Sequence, residues 1–385
     1  MKLQNRLLTA AAVAAAAVSA PQARGLVSLE DGKDHLFVDG SVEMGYDSNV
    51  FANASSGGSM VYQGSLGIDF TRRAGWIGVN ASASLDWARY GSFRGQDYVD
   101  PKFSAEFTKQ TGRTTGSLTV SVQREDRADV TVNTRDISWN YDVGLNFQYP
   151  VIERYSIAGS FDYNRIDYQD AALFTNLTTY TENLYLYYIL NEQRDLFVDY
   201  RLRNSDEAGG TFDVDNSLSG GVSGKVYGPF NGSLQAGYET RSSHGGPDNG
   251  ETFDDVTVSG TATWNMSRRM TLTATLARDY STTATAQSIE STSAGLTFQD
   301  SLTAKASANL SGLAGENKFL GDEGILEPSG QRRIDTFVDL SAAYFYTVNQ
   351  HLKASISYSY YLSHSTLAYA DFPRHQVDFT LSSHW

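Results

Sequence analysis

The stretch that decides the fold is ISWNYDVGLNFQY, residues 137–149. Every odd-numbered residue in it is apolar or aromatic, and every even-numbered residue is polar or glycine. Successive side chains of a β-strand point to opposite faces, so this run predicts one strand with an apolar face and a polar face. Its thirteen residues exceed the roughly five or six that are usual for strands of globular proteins.

The same alternation recurs along the chain, at 77–87, 155–163 and 352–362. Shorter or less regular versions fill the remainder, and by this template we count about 18 strands, with about 16 as the alternative. Bacterial single-chain membrane barrels have an even number of strands. The predicted fold is therefore all-β: a transmembrane antiparallel up-and-down β-barrel over residues 24–385.

The connections between these strands are expected to alternate in length. Short links follow the even-numbered strands, whereas long polar links follow the odd-numbered ones, at 48–60, 126–136, 204–213, 241–252 and 312–332. Membrane barrels have short turns at the periplasmic end and longer loops outside. This alternation predicts that both termini lie in the periplasm.

The size of such a sheet decides which face meets lipid. With strands about 4.8 Å apart and tilted by about 40°, roughly 18 of them close into a barrel about 36 Å across. Side chains cannot fill that interior, so the apolar rows are predicted to face hydrocarbon. Many of the 23 tyrosines fall near strand ends, which suits the aromatic girdles of a membrane barrel.

The first 23 residues are typical of a secretory signal peptide. Lys2 and Arg6 precede an apolar stretch from Leu7 to Val18, and small residues follow, with cleavage after Ala23 favoured over cleavage after Ala20. The chain has no cysteine, which excludes disulfides, thiolate chemistry and a lipid-anchored N-terminus. Its net charge of -14 makes nucleic acid a poor partner.

Strand parity assigns a set of charged residues to the polar, lumen-facing side. The acidic candidates are Asp39, Glu43, Asp69, Asp86, Glu106, Asp142, Asp162, Asp199, Glu239, Asp335, Asp339 and Asp378. The basic candidates are Lys102, Arg201, Arg203, Lys305 and Lys353. A net negative wall favours cations or neutral polar solutes over anions. The alternative is that these charges only solvate the interior while a constricting loop sets selectivity.

Two features are candidates for narrowing the lumen. Asp199, Arg201 and Arg203 share one strand face and predict either an internal ion pair or a constriction element. The link at 312–332 is the longest, and its apolar residues Phe319, Leu320, Ile325 and Leu326 are unusual for a solvated loop. It could fold inward as a plug, or contact a partner at the surface.

Catalytic and metal-binding motifs are absent from the sequence. The six histidines do not form an H-E-x-x-H pattern, and neither a G-x-S-x-G elbow nor a phosphate-binding loop is present. We therefore expect no enzymatic activity, no metal and no cofactor.

The last strand carries a candidate assembly signal. Its apolar row consists of Val377, Phe379, Leu381 and Trp385. An alternating terminal strand closed by an aromatic resembles the signal that the outer-membrane barrel assembly machinery reads. The alternative is an ordinary last strand.

The start of the predicted barrel carries a family resemblance. Residues 45–51 read GYDSNVF, in which Tyr46, Asp47, Asn49 and Val50 resemble the opening motif of the β-barrel porin 2 family. The alternative is an Asx turn that closes the first strand. The resemblance implies an outer-membrane barrel, and some family members are linked to exopolysaccharide production.

Together these features predict a porin-like channel in the outer membrane of a Gram-negative-type bacterium, passing small polar or cationic solutes. Its expected partners are outer-membrane lipid, lipopolysaccharide and the assembly machinery, and the oligomeric state stays open. Two alternatives remain: an exporter of exopolysaccharide, in which case polysaccharide is a partner, and a non-conducting structural or adhesive barrel.

Overall fold

A computed structural model describes residues 27–29, 34–73, 75–246, 248–321, 325–326 and 330–385. The predicted signal peptide, residues 1–23, lies outside these residues. Among them, no helix is long and apolar enough to cross a membrane.

Eighteen long antiparallel strands form the body of the protein, and we number them β1 to β18 in chain order. Their bounds are Asp34–Asp47, Ser59–Arg72, Gly78–Tyr90, Tyr98–Lys109, Thr115–Asp129, Thr134–Ile152, Tyr155–Tyr168, Leu177–Asn191, Arg194–Glu207, Phe212–Tyr227, Phe230–His244, Thr252–Asn265, Met270–Thr282, Ser288–Asp300, Ala306–Phe319, Ile334–Thr347, Leu352–Ser365 and Phe372–His384. A three-residue strand at Val27–Leu29 pairs with β1, and Ile325–Leu326 pairs with Gln331–Arg332 in one link.

The sheet closes on itself because β1 pairs with β2 on one side and with β18 on the other. Each remaining strand pairs with its neighbours in sequence, so the topology is up-and-down throughout. Closure satisfies backbone donors and acceptors inside the sheet, which a hydrocarbon surrounding requires. The predicted transmembrane 18-stranded barrel is confirmed.

The predicted alternation also decides which face points outward. On β6, Leu145 and Phe147 are exposed large apolar residues, and the strand before it exposes Leu118 in the same row, opposite Leu145. Similar rows run around the barrel, as at Val42 and Met44 of β1. An outward row of this kind is the lipid-facing surface of a membrane barrel.

The two ends of the barrel differ. Links after even-numbered strands have two to five residues, and both β1 and β18 have their chain-terminal ends there; we call this the turn end. Links after odd-numbered strands have four to fourteen residues, at what we call the loop end. Three predicted loops are shorter than expected. Paired strands β5 with β6 and β9 with β10 continue through most of 126–136 and 204–213, and β15 continues through the first eight residues of 312–332.

The outward row yields a stability prediction for adjacent positions of β6. Leu145→Arg should lower the free energy of unfolding by about 2–4 kcal/mol in a lipid bilayer, because it places a charge in hydrocarbon. Asn146→Arg is the matched control, since Asn146 faces the opposite side and is solvent-exposed. Urea titration of vesicle-reconstituted protein measures both, and equal losses would mean that this row does not face lipid.

Candidate functional site

The inner wall carries nearly all the charged residues that parity assigned to it. By strand parity these residues lie on the face opposite the exposed apolar rows, as Asp86 does between exposed Leu85 and Trp87. The residues placed on this face are Asp39, Glu43, Asp69, Asp86, Lys102, Glu106, Asp142, Asp162, Asp199, Arg201, Arg203, Glu239, Asp335, Asp339, Lys353 and Asp378. The assignment of Lys305 is wrong, because it lies in the turn between β14 and β15.

The lumen is open toward the turn end and partly occupied near the loop end. On β6, inward-facing Asn146 and Gln148 near the turn end are exposed, whereas Asp136, Ser138 and Asn140 toward the loop end are buried. On β10 the inward residues Asp215 and Ser217 are buried in the same way. Something therefore occupies the lumen near the loop end.

One occupant is the end of the β13–β14 hairpin. The β12–β13 ladder stops at Val258 opposite Arg278, but the β13–β14 ladder continues to Thr282 opposite Ser288. Tyr280 belongs to the same strand face as outward-facing Leu276, yet it is only 4% exposed. The tip of this hairpin has left the wall and lies inside it.

Two arginines of nearby wall strands hold this tip. Arg203 of β9 donates to the carbonyl oxygen of Tyr280 at 2.7 Å, and Arg241 of β11 donates to the carbonyl oxygen of Ser281 at 3.0 Å. Arg241 also donates to the Ser288 hydroxyl at 3.0 Å. These bonds pair backbone and hydroxyl groups that the interrupted β12–β13 ladder cannot reach.

The same arginines belong to a buried ion-pair network. We define the arginine cluster as Arg201, Arg203, Arg241, Asp215, Glu239 and Asp279. Arg201 lies 2.6 Å from Glu239 and 2.8 Å from Asp279, Arg203 lies 2.5 Å from Asp215, and Arg241 lies 2.6 Å from Asp215. Arg241 and Asp215 are both 0% exposed, so each charge needs its partner.

The arginine cluster corrects one part of the sequence prediction. Arg201 and Arg203 do form internal ion pairs, but Asp199 is not their partner: its Oδ1 is buried without a hydrogen bond to any described residue. Asp215, Arg241 and Asp279 come from other strands and were missed. Strand parity could have found them, because Asp215, Arg241 and Asp279 occupy odd-numbered positions of strands whose exposed apolar row is even-numbered.

A second hairpin, β5–β6, enters the lumen in the same manner. The β4–β5 ladder stops at Lys102 opposite Gln123, whereas β5 and β6 stay paired up to Asp129 opposite Thr134. Ala128 and Val130 at its tip pack against Ala52 of the β1–β2 link and Phe372, the first residue of β18. These four residues form a buried apolar cluster.

Polar contacts tie this second tip to two links. The Asn133 side chain donates to the Ala52 carbonyl oxygen at 3.2 Å, and Arg333 donates to the Thr131 carbonyl oxygen at 2.9 Å. Arg333 directly follows the predicted plug loop, 312–332, in which Phe319 is 1% exposed and lies beneath the Arg333 guanidinium at 3.9 Å. The side chains of Ile325 and Leu326 lie outside the described residues.

Both hairpins leave the wall at the same kind of contact. Asp100 of β4 pairs with Arg124 of β5 at 2.5 Å, and Asp255 of β12 pairs with Arg278 of β13. In each case the aspartate belongs to the strand that stays in the wall, β4 or β12. The arginine belongs to the strand that leaves, at or next to the last residue paired with the wall. The two splits are eight strands apart, so the hairpins enter from nearly opposite sides and narrow the loop end between them.

The two terminal motifs lie where the barrel closes. Asp47 accepts a hydrogen bond from the Asn49 backbone N–H at 2.9 Å, as an Asx turn requires, and pairs with Arg374 of β18 at 2.6 Å. Asn49 and Val50 are buried, whereas Tyr46 is exposed on the outer face.

The apolar row of β18 lies outward. Val377 and Phe379 are exposed, and Leu381 pairs with outward Val42. The Trp385 ring stacks on His351, with centroids 4.1 Å apart. Among the described residues, no three potential metal ligands come together.

Comparisons with known proteins add a fold-level likeness. No family model and no curated protein matches the chain. OccK2 (OpdF) of Pseudomonas aeruginosa, solved with glucuronate, is 11% identical with a TM-score of 0.48, covering 91% of this chain and 97% of that one. OpdK of the same organism, solved with vanillate, is 11% identical with a TM-score of 0.47, covering 91% and 99%.

The FrpB iron transporter of Neisseria meningitidis is 11% identical with a TM-score of 0.49, covering 85% of this chain. This chain spans only 62% of the length of FrpB. At such identities and TM-scores, the ligands of these proteins say nothing about this one, and the functional argument rests on the geometry of this barrel.

Because the chain has no native cysteine, a single introduced cysteine can report whether the β13–β14 tip is held. Ala284→Cys should react slowly with a maleimide, since Ala284 is buried, and adding Arg241→Ala should speed labelling by on the order of tenfold or more, since it leaves buried charge unpaired. Arg194→Ala, near the turn end of β9, is the control. If Ala284→Cys alone reacts as fast as exposed Thr285→Cys, the tip is not held.

Proposed function

We propose that this protein is a porin-like channel of the outer membrane that passes small polar or cationic solutes. The observation that carries the proposal is the shape of the lumen: polar and open toward the turn end, and narrowed at the loop end by two hairpins rather than filled by a core. A barrel with a wide wet vestibule and a polar constriction selects solutes by size and charge.

The charge of the inner wall supports a preference for cations. The inward set holds twelve carboxylates and four basic residues once Lys305 is removed. Some of these are paired, as Lys102 is with Asp86 at 2.7 Å, but the acidic excess remains. An excess of fixed negative charge raises the local concentration of cations and lowers that of anions.

The cellular location and the orientation of the barrel in the membrane are part of the same proposal. A leader at residues 1–23, the outward apolar rows and the short turns at the end that holds both termini support an outer-membrane barrel with periplasmic termini. Lipid and lipopolysaccharide are then its surroundings. Membership of the β-barrel porin 2 family rests on Tyr46, Asp47, Asn49 and Val50 and is part of this proposal.

Polysaccharide export ranks below solute passage. A polymer must thread the whole lumen, and both hairpins would have to leave it, although each is held by buried ion pairs or by buried contacts at its tip. A purely structural barrel would have no need of the exposed polar vestibule around Asn146 and Gln148.

Single-channel recording in a planar bilayer tests the channel directly. In a KCl gradient we expect a reversal potential on the cation-selective side. Replacing residues 281–288 by a two-residue Asn-Gly turn should raise the conductance, because it removes the inward tip. The same replacement at 208–211, a link of the loop end that is not an inward tip, should leave conductance unchanged; absent or anion-selective current would contradict the proposal.

We also propose that the last strand acts as the assembly signal. Val377, Phe379, Leu381 and Trp385 present one apolar row, and the Trp385 backbone exchanges hydrogen bonds with Val38 at 2.9 and 3.0 Å across the closing seam. Deleting Trp385 should reduce the amount of heat-modifiable folded barrel in outer-membrane fractions, whereas Trp385→Phe should preserve it. Equal yields from the deletion and the wild type would reduce this strand to an ordinary edge.

A further inference from the structure

A cavity of about 160 Å³ lies between the inward β5–β6 hairpin and the wall formed by β1–β4 and β18. One water molecule needs roughly 10–15 Å³ of such space, so the cavity has room for about ten waters or one small organic molecule. It exists only because the hairpin left the wall: the hairpin supplies Ala128, and the wall supplies Val61, Gln63, Tyr90 and Tyr98.

The arginines around this cavity are already used by the protein. Arg135 lies 2.6 Å from Asp126, and it also spreads over the rings of Tyr90 and Tyr98 at 5.0 and 5.6 Å. Arg374 lies 2.6 Å from Asp47. Arg127, the third arginine of the lining, lies 2.8 Å from Glu125. An anionic ligand would have to break an existing ion pair before it could bind any of these arginines.

Two carboxylates at or beside the cavity have no such ion pair with an arginine. Asp378 of β18 lines the cavity and makes no hydrogen bond or ion pair with any described residue. Glu43 lies diagonally across the β1–β18 seam from Asp378. Among the described residues it accepts only from neutral donors, the Gln63 amide at 2.8 Å and the Thr380 hydroxyl at 2.7 Å. The charge left over at the cavity is therefore negative.

We infer that this cavity is a binding subsite for a small organic monocation with N–H donors and a short apolar stem. Asp378 would accept from the cationic head, the Gln63 and Gln376 side chains and the Tyr98 hydroxyl offer further polar contacts, and Val61 with Ala128 would contact the stem. The inference rests on the proposed function for its meaning, since it names the class of solute that pauses at the constriction, but binding itself does not require conduction.

Calorimetry on the detergent-solubilised barrel tests the subsite independently of conductance. The probe is butylguanidinium, and butylurea is its neutral analogue of similar shape. We expect saturable binding of butylguanidinium, at least about tenfold weaker binding to Asp378→Asn because a charge-assisted pair is lost, and no measurable binding of butylurea. Glu106→Gln, another inward carboxylate outside the cavity lining, is the matched control and should bind as the wild type does.

Asp378→Glu keeps the charge and should bind butylguanidinium within a few-fold of the wild type. This variant separates loss of the carboxylate from damage to the strand. Heat-modifiable gel mobility verifies that each variant is folded. Binding that is unchanged in Asp378→Asn, or equal for butylguanidinium and butylurea, would overturn the inference. A barrel that conducts selectively but fails these titrations would lose the subsite and keep the proposed channel, whereas a barrel that binds but does not conduct would do the reverse.

Discussion

Every peptide group that crosses hydrocarbon must find its hydrogen-bond partner within the protein, and the rest of this structure depends on that constraint. It forces the eighteen strands to close between β1 and β18, and it fixes the register that sends one row of side chains to lipid and the next to the lumen. It also sets the difficulty that the two inward hairpins must solve, because a strand that leaves the wall abandons its ladder.

Arginine side chains solve that difficulty at both splits. Where β5 leaves β4, Arg124 donates to the Val99 carbonyl oxygen and Arg135 donates to those of Asp126 and Gln96. Where β13 leaves β12, Arg203 and Arg241 donate to the carbonyl oxygens of Tyr280 and Ser281. A guanidinium has five donors in a planar fork, so one side chain can serve a carboxylate and a backbone oxygen together. The arginines of the lumen thus replace backbone hydrogen bonds that the strands lose where they leave the sheet.

The sequence is sufficient to predict the barrel wall, but it is not sufficient to predict which segments lie inside the lumen. Strict alternation, as in 137–149, depends only on which face a residue occupies, so strand number and closure could be predicted. The hairpins could not, because the alternation breaks where Arg124 and Arg278 take positions of the apolar row, and a broken alternation predicts a loop rather than a hairpin that enters the lumen. The apolar residues of 312–332 predict a plug or a surface contact, but Phe319 is a strand residue packed beneath Arg333. Asp199 was grouped with Arg201 by sequence proximity, whereas the actual partners come from strands two and four positions away.

The two splits have a mechanical consequence. Toward the turn end the wall is an unbroken ring, and a ring resists lateral pressure through compression carried around its circumference. Beyond Lys102 and Val258 the ring is cut, leaving an arc of eight strands, β5–β12, and an arc of ten, β13–β18 with β1–β4. A cut ring cannot carry this circumferential stress and can only bend, so lateral compression from the surrounding lipid deforms the rim more easily than the base. The stiffness of this barrel is graded along its axis, with its most compliant section at the level of its narrowest one.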